Sequence, residues 1–344
     1  MHHKNRRELI QRLVAREPVE RSGFWLGIPY EETWTKLHRH FGTRDEQELR
    51  TKLGDDVSWF CPQFVPGFYQ DPSGLRLFDP GHGKFTHAST GPLTECTTVE
   101  QIEAYPWPNP DYIHFDDCLR QLREAGDIYR LSGLWTCFFH NLCDLFGMEE
   151  YFMKMLTEPE VVLAATDKVC EFYYEANECF FEAAGKEVDA FFLGNDVGSQ
   201  LNLLCSVKEM ETFFLPWLKR FAEQGHRHGY QVFMHSCGAI HPLIEKIIAA
   251  GVDCLHPLQA KAVDMEAEKL ARDFKGRIAF MGGIDAQGLL THGTPEQIRA
   301  DVKRVRELLG PNIIISPSHE AILPNVPVEN IEALALAAQE FAFG

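Results

Sequence analysis

The 344-residue chain is 45% hydrophobic and 24% charged, the balance of an ordinary soluble globular protein. Its formal net charge of -17 argues against nucleic acid or an anionic membrane as a partner, because phosphate would on average be repelled. No apolar run approaches the roughly 20 residues that cross a bilayer, and ten cysteines without a C-x-x-C pair read as reduced thiols of a cytoplasmic protein.

Met1 to Arg16 reads as a charged amphipathic helix with no apolar stretch of the signal-peptide kind. A first strand is expected over 23–28 (GFWLGI). Residues 1–130 are otherwise irregular and broken by Pro62, Pro66, Pro72, Pro80, Pro92, Pro106, Pro108 and Pro110. The aromatic residues of this half, among them Trp25, Trp34, Trp59, Phe60, Phe64, Phe68 and Tyr69, are read chiefly as packing, with an apolar substrate pocket as the alternative.

From about residue 130, short apolar runs alternate with helical patterns. Strands are expected at 130–134, 189–194, 231–235, 252–256, 278–283 and 312–316, and their near-continuous apolar character suits burial on both faces. Between them, Val162, Ala165, Val169, Phe172 and Ala176 give 158–183 one apolar helical face. Ser206 with Glu209 suggests a capping box opening a helix to about Arg227, which Gly229 stops. Ile240, Leu243, Ile244 and Ile247 mark a helix that Gly251 ends, and Thr294-Pro295 opens another. The last helix begins near Val328 and turns Ile331, Leu334 and Ala338 inward. This alternation, with no G-x-G-x-x-G after any strand, predicts an α/β protein, a (β/α)8 TIM barrel forming a single domain over 1–344. Residues 1–130 form its irregular N-terminal elaboration and 131–344 its regular units.

Barrel enzymes carry their chemistry at the C-terminal ends of strands, and three clusters fall there. His235-Ser236-Cys237-Gly238 follows the strand 231–235 and offers an imidazole and a thiolate on one side of the chain, with a glycine to turn it away. That donor pair suits zinc, although a packed cysteine beside a hydrogen-bonded histidine would look the same. Ser316-Pro317-Ser318-His319-Glu320 follows 312–316, in a loop stiffened by prolines on both sides. Gly194-Asn195-Asp196 follows 189–194, where Asp196 is a candidate catalytic or ligand-orienting carboxylate or, equally, a turn residue. Gly282-Gly283 would let a ligand approach the backbone, with Asp285 beside it, and these three are candidate cofactor-binding residues. His256, closing 252–256, is read as a core histidine.

In joint order these motifs, with Asn5-Arg6-Arg7-Glu8 and Tyr105-Pro106-Trp107-Pro108, resemble the uroporphyrinogen decarboxylase superfamily, nearest its methylcobamide:coenzyme M methyltransferase branch. The resemblance implies zinc held by an H-x-C pair and a later cysteine, which map onto His235, Cys237 and position 319, here a histidine. Asp196 and Glu320 are taken as the candidate catalytic carboxylates, with a solvated or ligand-supporting role the alternative for Glu320. It also implies a corrinoid (cobalamin) protein as partner, with a small methyl donor or a thiol acceptor, and allows a homodimer. One thiolate and two imidazoles would leave the zinc a formal positive charge, which favours removing a methyl group from oxygen over methylating a thiol. Two other readings stay open. One is a metal-free decarboxylase, although the arginine-rich signature of that branch is replaced by Phe24-Trp25-Leu26-Gly27-Ile28-Pro29. The other is a barrel that binds a corrinoid or small molecule without catalysis.

Overall fold

Eight parallel strands close into a barrel in the computed structural model, which describes residues 5–78 and 90–340. The strands of the molecule are β1 (Gly23–Phe24), β2 (Ile28–Pro29), β3 (Val57–Phe60), β4 (Tyr129–Ser132), β5 (Ala190–Gly194), β6 (Gln231–His235), β7 (Cys254–Leu258), β8 (Ala279–Ile284), β9 (Ile313–Pro317) and β10 (Ala321–Ile322). The barrel order is β1-β9-β8-β7-β6-β5-β4-β3, and β2 pairs with β10 in a separate two-stranded sheet. The seam between β1 and β3 is closed by Asp56, whose N–H donates to Phe24 O at 2.9 Å while its carboxylate accepts the Phe24 N–H and a two-pronged contact from Arg21.

The expected barrel is therefore present, with two local departures. Val57–Phe60 is a strand that the sequence pattern did not reveal, since four residues after Asp55-Asp56 carry too little periodicity. The single strand expected over 23–28 is instead two, β1 and β2, divided at Gly27, which has φ +85°. A side chain there would meet Glu320 O at 2.4 Å, so only glycine lets the loop after β9 come this close.

The barrel interior is filled by Trp25, Val57, Tyr129, Leu131, Phe192, Phe233, Met281 and Ile314. Leu9, Ile10, Leu13 and Val14 belong to the same cluster. They lie on one face of the helix Arg6–Val14, which plugs the N-terminal end of the barrel. Its first expected residues, 1–4, lie outside the described residues. A second core fills the space between the strands and the surrounding helices, chiefly Pro159–Ala184, Leu215–Arg227, His241–Ala249, Pro295–Leu309 and Val328–Glu340. Thr294 caps its helix as expected, and Gln297, which the sequence reading did not name, returns the bond to complete a reciprocal cap. At Ser206 the hydroxyl binds the Glu209 carboxylate rather than a backbone N–H. That helix also opens with a wide π turn at Met210–Phe214, ahead of Pro216, which has no N–H to give. Among the described residues, no helix is long and apolar enough to cross a membrane.

Candidate active site at the barrel mouth

With the N-terminal end plugged, the chemistry gathers at the other end. His235 is the last residue of β6, and Cys237, two residues on, lies on the same side of the extended chain. Gly238 then turns at φ +91°, where a side chain would strike Gly198 O at 2.3 Å. Asn195 N–H donates to His235 O at 2.9 Å, which holds the ends of β5 and β6 together and brings Asp196 across. Asp196 Oδ1 accepts the Cys237 N–H at 2.8 Å and lies 3.2 Å from His235 Nε2, while Cys237 Sγ lies 3.5 Å from the same nitrogen. One ligand atom each from Asp196, His235 and Cys237 lie within 4.8 Å of one another.

The other face of the His235 ring meets β7, in register with His256. The two Nδ1 atoms are 3.0 Å apart, and Glu320 Oε2 is 3.8 Å from His235 Nδ1. His256 is fully buried, and both its Nε2 and Glu320 Oε2 lack a hydrogen-bond partner among the described residues. Burial opposes a charge on His235, yet hydrogen bonds to Asp196 and Cys237 and the nearby Glu320 outweigh it and hold the imidazole well above its usual range. Burial, then the charges of His235 and His319, push His256 well below it. His256 is thus neutral and accepts at Nδ1 what His235 donates. Burial raises the Cys237 thiol, with His235 pulling the other way. Burial would also raise Asp196, but its contacts with His235 and Cys237 hold it below the carboxylate range. A pocket that stabilises a buried imidazolium is one that welcomes positive charge. Its thiol, imidazole and carboxylate are the donor types that suit zinc.

Residues 86–341 match the uroporphyrinogen decarboxylase family. The chain belongs to that family. The family barrel is also the fold of a methyltransferase from Methanosarcina mazei, with a TM-score of 0.67 and 18% identity over 98% of this chain and 99% of the other. At that identity the likeness is one of fold. No curated protein matches the chain.

In this uroporphyrinogen decarboxylase family member, the loop after β9 sets Glu320, not His319, toward His235. Ser318 N–H donates to Ile284 O at 2.7 Å, and the Ile28 N–H donates to Glu320 O at 2.6 Å, which pins the turn from both sides. The His319 side chain is left 43% exposed, its Nδ1 accepting the Ala321 N–H at 3.1 Å, and it belongs to neither compact donor group. Asp285 lies apart. Its carboxylate accepts the N–H groups of Gln287, Gly288 and Leu289 and stands 3.7 Å from Lys261. A side chain on Gly282 would come within 2.5 Å of Leu258 N, and one on Gly283 within 3.1 Å of Val305, so neighbouring protein fills the space beside this pair.

Two residues that the sequence reading passed over complete the mouth. Trp135, just after β4, sets its ring edge against the His235 ring at 5.3 Å. His140 accepts the Asp196 N–H at Nε2, 3.1 Å away, and approaches Asp196 Oδ2 at 3.9 Å. Both line a cavity of about 670 Å³ together with Phe64, Phe68, Tyr69, Phe78, Asn141 and Tyr173. Of the aromatic residues named from the sequence, Phe64, Phe68 and Tyr69 line this cavity, whereas Trp25 is buried in the barrel core. The signal for Trp135 was its place directly after a predicted strand.

Proposed function

We propose that this protein is a zinc-dependent methyltransferase that moves a methyl group between a small donor or thiol acceptor and a corrinoid protein. The observation that carries the reading is the Asp196–His235–Cys237 group at the C-terminal end of the barrel. The methyltransferase with the same fold supports it. The ten cysteines, all unpaired, suit a reducing cytoplasm.

His235 and Cys237 would hold the ion, and Asp196 is the third donor that the geometry favours over His319. When bound, zinc supplies Lewis acidity to the oxygen or sulfur that loses or gains the methyl group. The chain's own residues prepare that site. His256 accepts from His235 Nδ1 and so leaves Nε2 aimed at Asp196 and Cys237. Glu320 adds negative charge at the opposite, Nδ1 edge of the His235 ring, and its Oε2, without a hydrogen-bond partner among the described residues, is the carboxylate oxygen proposed to exchange a proton with the departing or arriving heteroatom. For an oxygen donor, the O–CH3 bond breaks with both electrons left on oxygen. The methyl group passes to a cobalt(I) corrinoid co-substrate, and the oxygen takes up one proton. With Asp196 in place of His319 the site loses the formal positive charge that favoured oxygen over sulfur, and the large cavity beside it becomes the better argument for a bulky donor.

Metal analysis of the purified protein beside Cys237→Ala, Asp196→Asn and His319→Ala tests the assignment. Stoichiometric zinc in the wild type and in His319→Ala, lost in the other two, is the expected result. Zinc retained by Asp196→Asn and lost from His319→Ala would move the third ligand to position 319, and wild-type protein free of zinc would end the reading. A methyl-transfer assay with a corrinoid protein against methoxylated compounds and thiols fixes the direction. A metal-free decarboxylase fits less well, because the described walls of the cavity carry no lysine or arginine to receive carboxylates.

A further inference from the structure

Asn141 lies in the first turn of the helix Phe138–Phe146, just after the residues that carry Trp135 to the His235 ring. Phe138, Phe139, Leu142 and Leu145 are buried around it, and asparagine forms helix less readily than the leucine that would pack in its place. Resting on the methyltransferase reading for the fate of the ligand but not for its binding, we infer that Asn141 sets the specificity of the cavity of about 670 Å³. Its amide donates a hydrogen bond to a neutral oxygen acceptor, a carbonyl or an ether, on the bound molecule.

The orientation of the amide gives the first reason. Asn141 is 5% exposed and lines the cavity. Its Oδ1 accepts the Tyr173 hydroxyl at 2.9 Å and the Cys137 thiol at 3.7 Å. Cys137 stands one helical turn back and Tyr173 belongs to the helix Pro159–Ala184, so two separate elements fix which end of the amide is occupied. Nδ2 makes no hydrogen bond to a described residue and is the end left to a ligand, with N–H groups to give and no lone pair to offer. The rest of the wall gives the second reason. Gln63 is engaged at both ends, its Oε1 by the Trp135 N–H and the Cys61 thiol, its Nε2 by Trp135 O. The Tyr69 hydroxyl takes the Asn109 N–H and donates to Asp71, and the Tyr173 hydroxyl is committed to Asn141. Among the amide and hydroxyl side chains of the described walls, Asn141 alone keeps an unoccupied end.

Desolvation turns that end into a filter. A ligand that covers these N–H groups without an acceptor leaves them unpaired, which costs more than the bond itself would have gained. A site built this way rejects a same-shaped molecule lacking the acceptor more sharply than an apolar wall rejects a change in size. An amine placed there would set donor against donor.

Titration calorimetry on the full chain tests this with acetophenone and α-methylstyrene, which exchange C=O for C=CH2 at nearly the same shape. The ratio of acetophenone to α-methylstyrene affinity should fall about tenfold from wild type to Asn141→Leu, and several-fold in Tyr173→Phe, where the amide is free to turn. Asn141→Asp, close in size and without N–H groups, should reproduce the loss and serves if the leucine variant does not fold. Phe64→Ala, at a wall position 65% exposed, should weaken both probes and leave the ratio alone, which places them in this cavity. An Asn141 that merely braces Tyr173 would change both affinities alike. A ratio unchanged in the Asn141 variants or in Tyr173→Phe overturns the inference, as do probes that fail to bind or that ignore Phe64→Ala. Zinc content measured on the same samples keeps the two readings apart. Zinc-loaded protein with an unchanged ratio ends this inference alone, whereas zinc-free protein with the expected fall keeps it and ends the metal reading.

Discussion

At the closed end of the barrel, Arg7 meets Asp189 at 2.7 Å, Gln231 reaches Gln11 O and Asn312 holds Leu13 O, all against one amphipathic helix. At the open end, His256 Nε2, Glu320 Oε2 and Trp59 Nε1 are buried with no hydrogen-bond partner among the described residues. Each such atom costs about 1–3 kcal/mol when left unpaired, and they are not confined to the mouth, since Ser22 Oγ and Arg130 Nε towards the closed end also lack a partner among the described residues. The closed end spends its polar groups on cohesion, and the Arg6–Val14 helix adds apolar burial to them. The mouth holds a thiol, two imidazoles and two carboxylates close together, an arrangement poor for stability and suited to a cation. This division follows the general separation of stability and catalysis between the two faces of such barrels.

Substitutions can break the comparison by crossing effects between the two ends. The largest effect belongs to His235→Ala and Cys237→Ala, which should each lower methyl transfer by about 10³-fold or more with little change in unfolding free energy. Rates kept and stability lost would make the mouth a structural feature. Next comes Ile10→Ala in the plug, expected to cost about 2–4 kcal/mol in denaturant unfolding while turnover per folded molecule stays the same. A drop in turnover with stability intact would show that the closed end reaches the chemistry. His256→Ala should weaken zinc by about 10–100-fold in chelator competition, with His256→Asn recovering part of the loss. Equal affinity in all three proteins would remove His256 from the site.

The smallest effect sharpens the comparison at the closed end, at His226. Its Nε2 lies 2.8 Å from Asp253 Oδ2, and that hydrogen bond raises the imidazole above its ordinary value against partial burial. A raised folded value means stability that is complete below the unfolded value of about 6.5 and lost as pH climbs through the folded one. Wild type should therefore melt above His226→Gln at about pH 5.5, with the gap closing by about pH 9. A gap that widens with pH would show that the pair does not act through protonation.

Much of this was legible in the chain because it is local. Strand ends, glycine stops and the Thr294 cap depend on neighbours within a few residues, and so does the alternation that puts His235 and Cys237 on one side. Val57–Phe60 escaped because a four-residue strand carries almost no pattern, and the division at Gly27 escaped because its cause, the carbonyl of Glu320, lies 293 residues away in the chain.

By itself, then, the sequence determined the barrel, the face on which to look, and the placing of His235 and Cys237 on one side of the chain, all set by short-range periodicity. Tertiary structure alone decided their company. Which of the adjacent residues His319 and Glu320 turns inward depends on bonds from Ser318 to Ile284 and from Ile28 to Glu320. That His256 touches His235 depends on the register of β6 against β7. A turn that differs by one residue exchanges an imidazole for a carboxylate, and no local rule of the chain fixes it.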